Sequence, residues 1–128
     1  MAEFKLLMPD GHGIIASCDD SGIVTFVVSA GVASPIRGTE MFDLMMRAYG
    51  ENARAVRGVW RRGFQGRPSV NLDKVNELTA QGAPLQEALK ATWTATRASR
   101  WGLTRVTILG SPEGTVGAYT KIDVLFEK

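Results

Sequence analysis

The most informative part of the chain is residues 71–128, NLDKVNELTAQGAPLQEALKATWTATRASRWGLTRVTILGSPEGTVGAYTKIDVLFEK. Apolar residues recur at helical spacing over 71–80 and over 84–100, so both segments are predicted to be helices. Alternating apolar and polar residues then predict strands over 103–109 and 118–126. The second half of the chain therefore reads as two helices followed by two strands.

The predicted second helix contains an unusual tract, Ala91-Thr92-Trp93-Thr94-Ala95-Thr96-Arg97. Threonine is a mediocre helix former because its branched Cβ restricts the side chain. A helix that accepts three threonines around a tryptophan often uses their hydroxyl groups. We therefore expect Thr92, Thr94 and Thr96 to take part in a functional site.

The first 35 residues are predicted to form a β-meander. Apolar and β-branched runs over 3–8, 13–18 and 23–28 predict three strands, and Asp19 to Gly22 has the composition of a tight turn. A helix capped by Thr39 should follow and end at Gly50, with methionines on its core face.

The fold class predicted for residues 1–128 is a single α+β domain. It has an N-terminal β-meander (1–35), a helical middle, and C-terminal antiparallel strands that complete one sheet with helices packed on it. The middle includes a short helix over 52–60, and Ser69 or Asn71 is expected to cap the helix over 71–80.

The distribution of positive charge indicates an anionic partner. The net charge is only +2, but ten of the fifteen cationic residues are arginine. On a helix over 52–60, Arg54, Arg57 and Arg61 would share one stripe and repel one another. The cost of this repulsion indicates an anionic partner, such as an RNA phosphate backbone, or neutralisation by Asp or Glu elsewhere in the chain. A solvated face or contacts to an acidic protein are the alternatives.

Several classes of chemistry are poorly supported by the composition. One histidine (His12) and one cysteine (Cys18) leave little from which to build a zinc or iron site, so we expect no metal and no cofactor. The glycine-rich segment 110–117 lacks the ending of a phosphate-binding P-loop, although it has room to grip a ligand. No apolar run is long enough for a membrane span.

The polar residues that remain suit RNA cleavage by the neighbouring 2′-hydroxyl. That reaction needs cations to stabilise the pentacoordinate phosphate, and a group that takes one proton and returns another. Arginine and lysine can supply the first requirement. Tyrosine, lysine, glutamate or polarised water can supply the second, and the isolated His12 is a weaker candidate for this role.

A set of short motifs resembles the C-terminal toxin domains of bacterial polymorphic toxins of the contact-dependent inhibition and Rhs types. The matching segments are Ile36 to Phe42, Met45-Met46, Tyr49-Gly50, Gly58-Val59-Trp60, Asn71 to Asn76, Thr92-Trp93-Thr94, Gly114 to Tyr119 and Val124-Leu125-Phe126. They span residues 36–126. Relatives are expected to carry glycine after Thr-Trp-Thr, where this chain has Ala95.

The helix-then-strand layout is similar to the barnase/EndoU/colicin/RelE-like ribonuclease superfamily. The resemblance implies a metal-independent endoribonuclease that cleaves tRNA or other RNA, delivered within a larger secreted toxin into the cytoplasm of a competing bacterium. It also implies a cognate immunity protein as partner. RelE-like members work with Arg, Tyr and Lys, which fits a histidine-poor chain. We expect a monomer that does not bind membranes.

The residues expected to carry this function fall into two groups. The catalytic candidates are Arg97, Thr94, Tyr119 and Lys121. The RNA-binding candidates are Arg61, Arg62, Arg67, Asn71, Thr92, Thr96, Arg100 and Trp101, with Trp101 as a platform on which a base could stack. Two alternatives stay open, namely a non-catalytic module that binds nucleic acid or protein and an NAD-dependent ADP-ribosyltransferase toxin.

Overall fold

The computed structural model describes residues 2–9, 11–29, 35–62 and 69–128. The chain divides into two compact units, Met1–Val56 and Arg57–Lys128. In chain order the strands and helices are β1 (Ala2–Leu7), β2 (Gly13–Cys18), β3 (Ile23–Ser29), α1 (Gly38–Tyr49), a 3-10 turn (Gly50–Asn52), β4 (Ala55–Arg61), α2 (Val70–Ala80), α3 (Leu85–Lys90), α4 (Trp93–Ser99), β5 (Arg105–Ile108), β6 (Glu113–Thr115) and β7 (Ala118–Glu127).

The α+β fold class predicted from the sequence is confirmed. In the first unit β2 lies between β1 and β3, and in the second unit β7 lies between β4 and β5 and also pairs with β6. The C-terminal pairs β5–β7 and β6–β7 are antiparallel, as expected. Helix α1 packs on the strands of the first unit, whereas α2 packs on β7 and α3 packs on β5 in the second.

The N-terminal meander forms where the sequence predicts it. Strand β1 pairs antiparallel with β2, and β2 pairs antiparallel with β3. The turn between β2 and β3 is held by Asp19, whose Oδ1 accepts hydrogen bonds from the N–H groups of Ser21 and Ile23 at 2.9 and 3.0 Å. Gly22 closes this turn with a φ of 84°, a backbone conformation that favours glycine.

Helix α1 buries its methionine-rich face in the core of the first unit. Met41, Phe42 and Met45 are fully buried, and the ring of Phe42 meets Phe26 edge-on with centroids 5.3 Å apart. The helix ends at Gly50, as predicted. The predicted cap at Thr39 is wrong, because the helix begins at Gly38, the cap position is Arg37 and no side chain caps the helix.

Cys18 lies in the same core at the end of β2. Its side chain is buried, and its Sγ lies 3.6 Å from the carbonyl oxygen of Asn52. Burial raises the pKa of the Cys18 thiol, and the neighbouring Asp19 carboxylate raises it further. Both effects favour the neutral thiol in the folded protein.

The helix predicted over 52–60 is wrong, because this segment contains the 3-10 turn and strand β4. Burial along β4 alternates: Val56, Gly58 and Trp60 are buried, whereas Arg57 and Arg61 lie on the other side. Residues four apart share a face in a strand as well as in a helix, so the spacing of Arg57 and Arg61 is compatible with both structures. The β-branched valines and the aromatic Trp60 favour the strand.

The helix over 71–80 is confirmed as α2, and Ser69 caps it by accepting a hydrogen bond from the N–H of Leu72 at 3.2 Å. The single helix predicted over 84–100 is wrong, because the chain forms two short helices, α3 and α4. The break falls at Thr92, whose ψ of 159° is extended. Its hydroxyl accepts a hydrogen bond from the N–H of Ala95 at 3.2 Å and so begins a new helix.

Strand β7 contains a β-bulge at Thr120. Lys121 is paired with Glu113 on β6, but the next residue of β6, Gly114, is paired with Tyr119. One residue of β7 is therefore left over, and the alternation of side chains shifts there by one. As a result Tyr119 and Ile122 are both buried, whereas Lys121 lies on the other side of the strand. Strand β6 itself lies within 110–117, the segment predicted to be a ligand-gripping loop.

Candidate functional site

The threonine hydroxyl groups of the 91–97 tract form hydrogen bonds to other groups of the same chain. Thr92 is fully buried, and its hydroxyl donates to the carbonyl of Leu89 at 2.7 Å in addition to capping α4. Thr96 is exposed, and its hydroxyl donates to the carbonyl of Thr92 at 2.9 Å. These two RNA-binding candidates therefore stabilise the start of α4 and its junction with α3.

Asn71 and Thr94 were both expected in the site, and they bind each other. The Nδ2 of Asn71 donates to the Thr94 hydroxyl at 3.0 Å, and the Asn71 Oδ1 accepts from the Thr94 N–H at 3.1 Å. Thr94 is buried, while Asn71 is half-buried. The two contacts join the first turn of α2 to the first turn of α4.

The remaining candidates on and beside α4 differ in exposure. Arg97 is half-buried, and its Nε is buried without a hydrogen-bond partner among the described residues. Arg100 follows the helix and is exposed, and Trp101 is half-buried. None of these three side chains lines the surface depression that residues 109–111, Glu113 on β6, and Lys121 and Asp123 on β7 form.

Tyr119 is a core residue of the second unit, with 9% of its surface exposed. The buried side chain of Asn76 holds its backbone: Nδ2 donates to the Tyr119 carbonyl at 3.0 Å, and Oδ1 accepts from the Tyr119 N–H at 2.7 Å. Two residues earlier, the Gly117 N–H donates to the Thr79 hydroxyl at 3.0 Å. Helix α2 thus fixes the start of β7, and the burial of Tyr119 makes direct contact with an RNA phosphate difficult.

Lys121 belongs to a group of charged residues that we call the charged face. Its members lie on β4, β6 and β7 of the second unit and are Arg57, Arg61, Glu113, Lys121 and Asp123. Glu113 and Lys121 are paired across β6 and β7 and so point to the same side. Asp123, two residues beyond Lys121, also shares that side.

Strand β4 adds two arginines to the charged face. The Arg57 Nε donates to the Asp123 Oδ1 at 2.9 Å, and a second nitrogen of Arg57 binds the other oxygen of the same carboxylate. This bidentate pair shows that Arg57 and Asp123 lie on one side of the sheet. Arg61, four residues along β4, lies on that side as well.

The backbone places Arg61 near Lys121. The N–H of Arg62 donates to the carbonyl of Thr120 at 3.0 Å. Arg61, at the end of β4, precedes Arg62, and Lys121 follows Thr120 on β7, so Arg61 and Lys121 lie close together on neighbouring strands. Arg61 and Arg62 are exposed, and Lys121 is half-buried. Arg62 follows the last residue of β4 and is not counted in the charged face.

A surface depression of about 330 Å³ lies at the charged face. Its lining combines a cation, two carboxylates and a hydroxyl, and consists of Leu109, Gly110, Ser111, Glu113, Lys121 and Asp123. The hydrogen bond with Asp123 raises the pKa of the Arg57 guanidinium, and the negative charge of Asp123 adds to the shift. Arg57 therefore acts as a permanent cation that holds the Asp123 carboxylate in place.

Glu113 and Asp123 were missed as site residues by the reasoning from sequence. Glu113 lies in a segment predicted to be a loop, and its position opposite Lys121 depends on pairing between strands. Asp123 carried one usable signal, since it follows Lys121 by two residues in a predicted strand. Arg67 lies outside the described residues.

Two features of the described part of the chain concern metal binding and membrane insertion. Within residues 2–9, 11–29, 35–62 and 69–128, no three His, Cys, Asp or Glu side chains lie close enough together to hold a metal ion. No helix in those ranges has the length and apolar character needed to cross a membrane.

Comparison with known proteins gives no family for this chain. No family model, no curated protein and no solved structure matches it.

Proposed function

We propose that this chain is a metal-independent endoribonuclease that cleaves RNA by attack of the 2′-hydroxyl, and that the charged face is its active site. The observation that carries the proposal is the placement of Arg61, Lys121 and Glu113 on one side of three neighbouring strands. Two of these, Arg61 and Glu113, are exposed, and Lys121 is half-buried at the depression. This set supplies both cations for a phosphate and a carboxylate for proton transfer.

Each residue has a role that follows from its chemistry. Glu113 accepts the proton of the 2′-hydroxyl as the 2′-oxygen attacks phosphorus. Arg61 and Lys121 stabilise the negative charge that grows on the phosphate oxygens. The bond from phosphorus to the 5′-oxygen breaks, and the leaving oxygen takes a proton from Lys121 or from water. The products are a 2′,3′-cyclic phosphate and a 5′-hydroxyl.

The assignment differs from the expectations drawn from the sequence. Lys121 stays a catalytic candidate and Arg61 stays an RNA-binding candidate. Glu113 replaces Tyr119 in proton transfer, because Tyr119 is buried against α2. Thr94 is excluded from direct catalysis in this proposal because its hydroxyl and N–H are bound by Asn71.

The test is cleavage of purified tRNA and total RNA in EDTA, resolved on a denaturing gel with end-group analysis. We expect discrete fragments with 2′,3′-cyclic phosphate ends. Glu113→Gln and Lys121→Ala should each lower the rate by roughly 10²- to 10⁴-fold. Arg105→Ala is the matched control, because this exposed arginine pairs with Glu127 at the opposite end of β7 and should leave the rate within about twofold.

Two results would overturn the proposal. One is intact RNA after prolonged incubation with folded protein, including after addition of divalent cations. The other is a parent activity that Glu113→Gln and Lys121→Ala leave unchanged. RNA that is retained without cleavage, with affinity falling steeply as salt rises, would assign the chain to the non-catalytic binding modules instead.

We further propose that the chain acts as a toxin in a bacterial cytoplasm, delivered within a larger protein and neutralised by an immunity protein. This rests on the resemblance of the motifs over 36–126. Induced expression in the bacterial cytoplasm should arrest growth and produce the same RNA fragments as the purified protein. Expression of the Lys121→Ala protein at equal level should permit growth, and equal arrest by both proteins would contradict the proposal.

A further inference from the structure

Strand β1 is the first strand in the sheet order, and β2 is its one hydrogen-bonded neighbour among the described strands. All of its residues from Ala2 to Leu7 are half-buried or exposed. An edge strand of this kind presents a row of N–H and C=O groups to which another strand can pair.

The hydrogen-bond pattern identifies the free backbone groups of β1. The Met8 N–H donates to the His12 carbonyl at 2.7 Å, which continues the register in which Leu7 lies opposite Gly13. In an antiparallel pair, the residues that bond to the neighbour alternate with residues whose backbone groups point away from it. The even-numbered residues therefore bond to β2, and Glu3, Lys5 and Leu7 direct theirs to the open edge.

We infer that β1 pairs antiparallel with β1 of a second copy of this chain, about a two-fold axis at Phe4. In this register Glu3 lies opposite the partner's Lys5, and Lys5 lies opposite the partner's Glu3. Both opposed pairs use the residues whose backbone groups face the edge, so each pair exchanges two backbone hydrogen bonds. Each pair also brings opposite charges together.

Charge also selects this register over its neighbours. A two-fold axis at Glu3 would place two carboxylates opposite each other, and an axis at Lys5 would place two ammonium groups opposite each other. Like charges directly opposite each other in a sheet are destabilising. Within one chain, Glu3 lies opposite Ser17 and Lys5 lies opposite Ile15, so neither charge has an opposite charge as its partner on β2.

The edge strand is already ordered for pairing. The Tyr49 hydroxyl of α1 donates to the Ala2 carbonyl at 3.1 Å, and the Tyr49 ring lies edge-on to Phe4 at 6.4 Å between centroids. Association therefore does not have to order this strand, which lowers the entropic cost of binding. The interface is small, so we expect a dimer with a dissociation constant on the order of 100 µM or tighter. The sequence had indicated a monomer.

The test is a charge exchange measured by sedimentation equilibrium over a range of protein concentrations. The parent should dimerise, and Glu3→Lys and Lys5→Glu should each weaken the dimer by at least about tenfold, because every opposed pair becomes like-charged. The double variant Glu3→Lys/Lys5→Glu restores opposite charges and should dimerise like the parent. An equimolar mixture of the two single variants should form a heterodimer.

The outcomes separate clearly. A parent that stays monomeric up to about 1 mM, or a dimer that both single variants leave intact, would overturn the inference. Circular dichroism checks that the variants fold, which their exposed positions favour. Neither residue belongs to the charged face, so the monomeric variants should keep the ribonuclease rate of the parent, and failure of one proposal does not imply failure of the other.

Discussion

The amide of Asn76 binds the backbone N–H and C=O of Tyr119 at the start of β7, and replacing it should be costly. The side chain makes two hydrogen bonds to the backbone of Tyr119, at 2.7 and 3.0 Å, and Asn76 is 7% exposed. Asn76→Ala removes both partners and leaves a buried N–H and a buried C=O unsatisfied. Each such group costs about 1 to 3 kcal/mol, so we expect the free energy of unfolding to fall by about 3 kcal/mol.

The measurement is equilibrium unfolding in urea, followed by tryptophan fluorescence and circular dichroism. Asn71→Ala is the matched control, since Asn71 also makes two hydrogen bonds, to Thr94, but is half-buried. Water can replace part of what is lost there, so we expect a cost near 1 kcal/mol. A loss below about 0.5 kcal/mol for Asn76→Ala, or an equal loss for both variants, would show that the two buried hydrogen bonds of Asn76 do not stabilise the fold as proposed.

A second variant at the same position adds a dependence on pH. Asn76→Asp keeps an acceptor for the Tyr119 N–H but directs a carboxylate at the Tyr119 carbonyl. Burial, together with the carbonyl oxygen that the carboxylate would face, should raise the pKa of the new carboxyl above its unfolded value. Stability is then fully present below the unfolded pKa and is lost as the pH rises through the folded pKa. This variant should therefore approach the parent in acid and be least stable near neutral pH.

Three further variants, two of them with a matched control, have defined outcomes. Gly22→Ala should lower the free energy of unfolding by about 2 kcal/mol or more, because its Cβ would lie 2.7 Å from a backbone oxygen. Gly11→Ala, at a similar φ with open space, isolates the conformational cost and should lose about 1 kcal/mol. Thr92→Ala removes a buried helix cap and should cost about 1 to 2 kcal/mol in urea, whereas exposed Thr96→Ala should cost less than about 0.5. Because burial raises the pKa of Cys18, its contribution to stability is present below the unfolded pKa near 9.0 and is lost at higher pH. In a series of urea titrations, Cys18→Ala should reduce the loss of stability at alkaline pH. An unchanged loss would contradict its attribution to the Cys18 thiol.

The parts of the fold that were predictable from the sequence are those fixed by neighbouring residues. The turn from Asp19 to Gly22 depends on one side chain and one glycine, and both lie within the turn itself. Helix α2 carries its own cap at Ser69. Strand β4 was predicted wrongly because the four-residue spacing of Arg57 and Arg61 fits a helix as well as a strand, and the strand preference of its valines and Trp60 takes effect only through pairing with other strands.

The site was harder to predict than the fold for the same reason. The sequence indicated that the threonines of the 91–97 tract use their hydroxyl groups, but not that Thr94 binds Asn71, which lies 23 residues away. Lys121 and Arg61 could be singled out by type and position. Their proximity to Glu113 depends on the pairing of β6 with β7 and on the bulge between them, and no local pattern encodes that register.

The bulge at Thr120 also bears on which genetic changes this strand can tolerate. Thr120 is exposed, so many side chains can stand there. Its presence as an extra residue, however, sets which side of β7 each residue before it occupies. Loss of that single codon would move Tyr119 out of the core or Lys121 into it. Missense changes at this position should therefore be nearly silent, whereas an in-frame deletion should be among the most damaging in the chain.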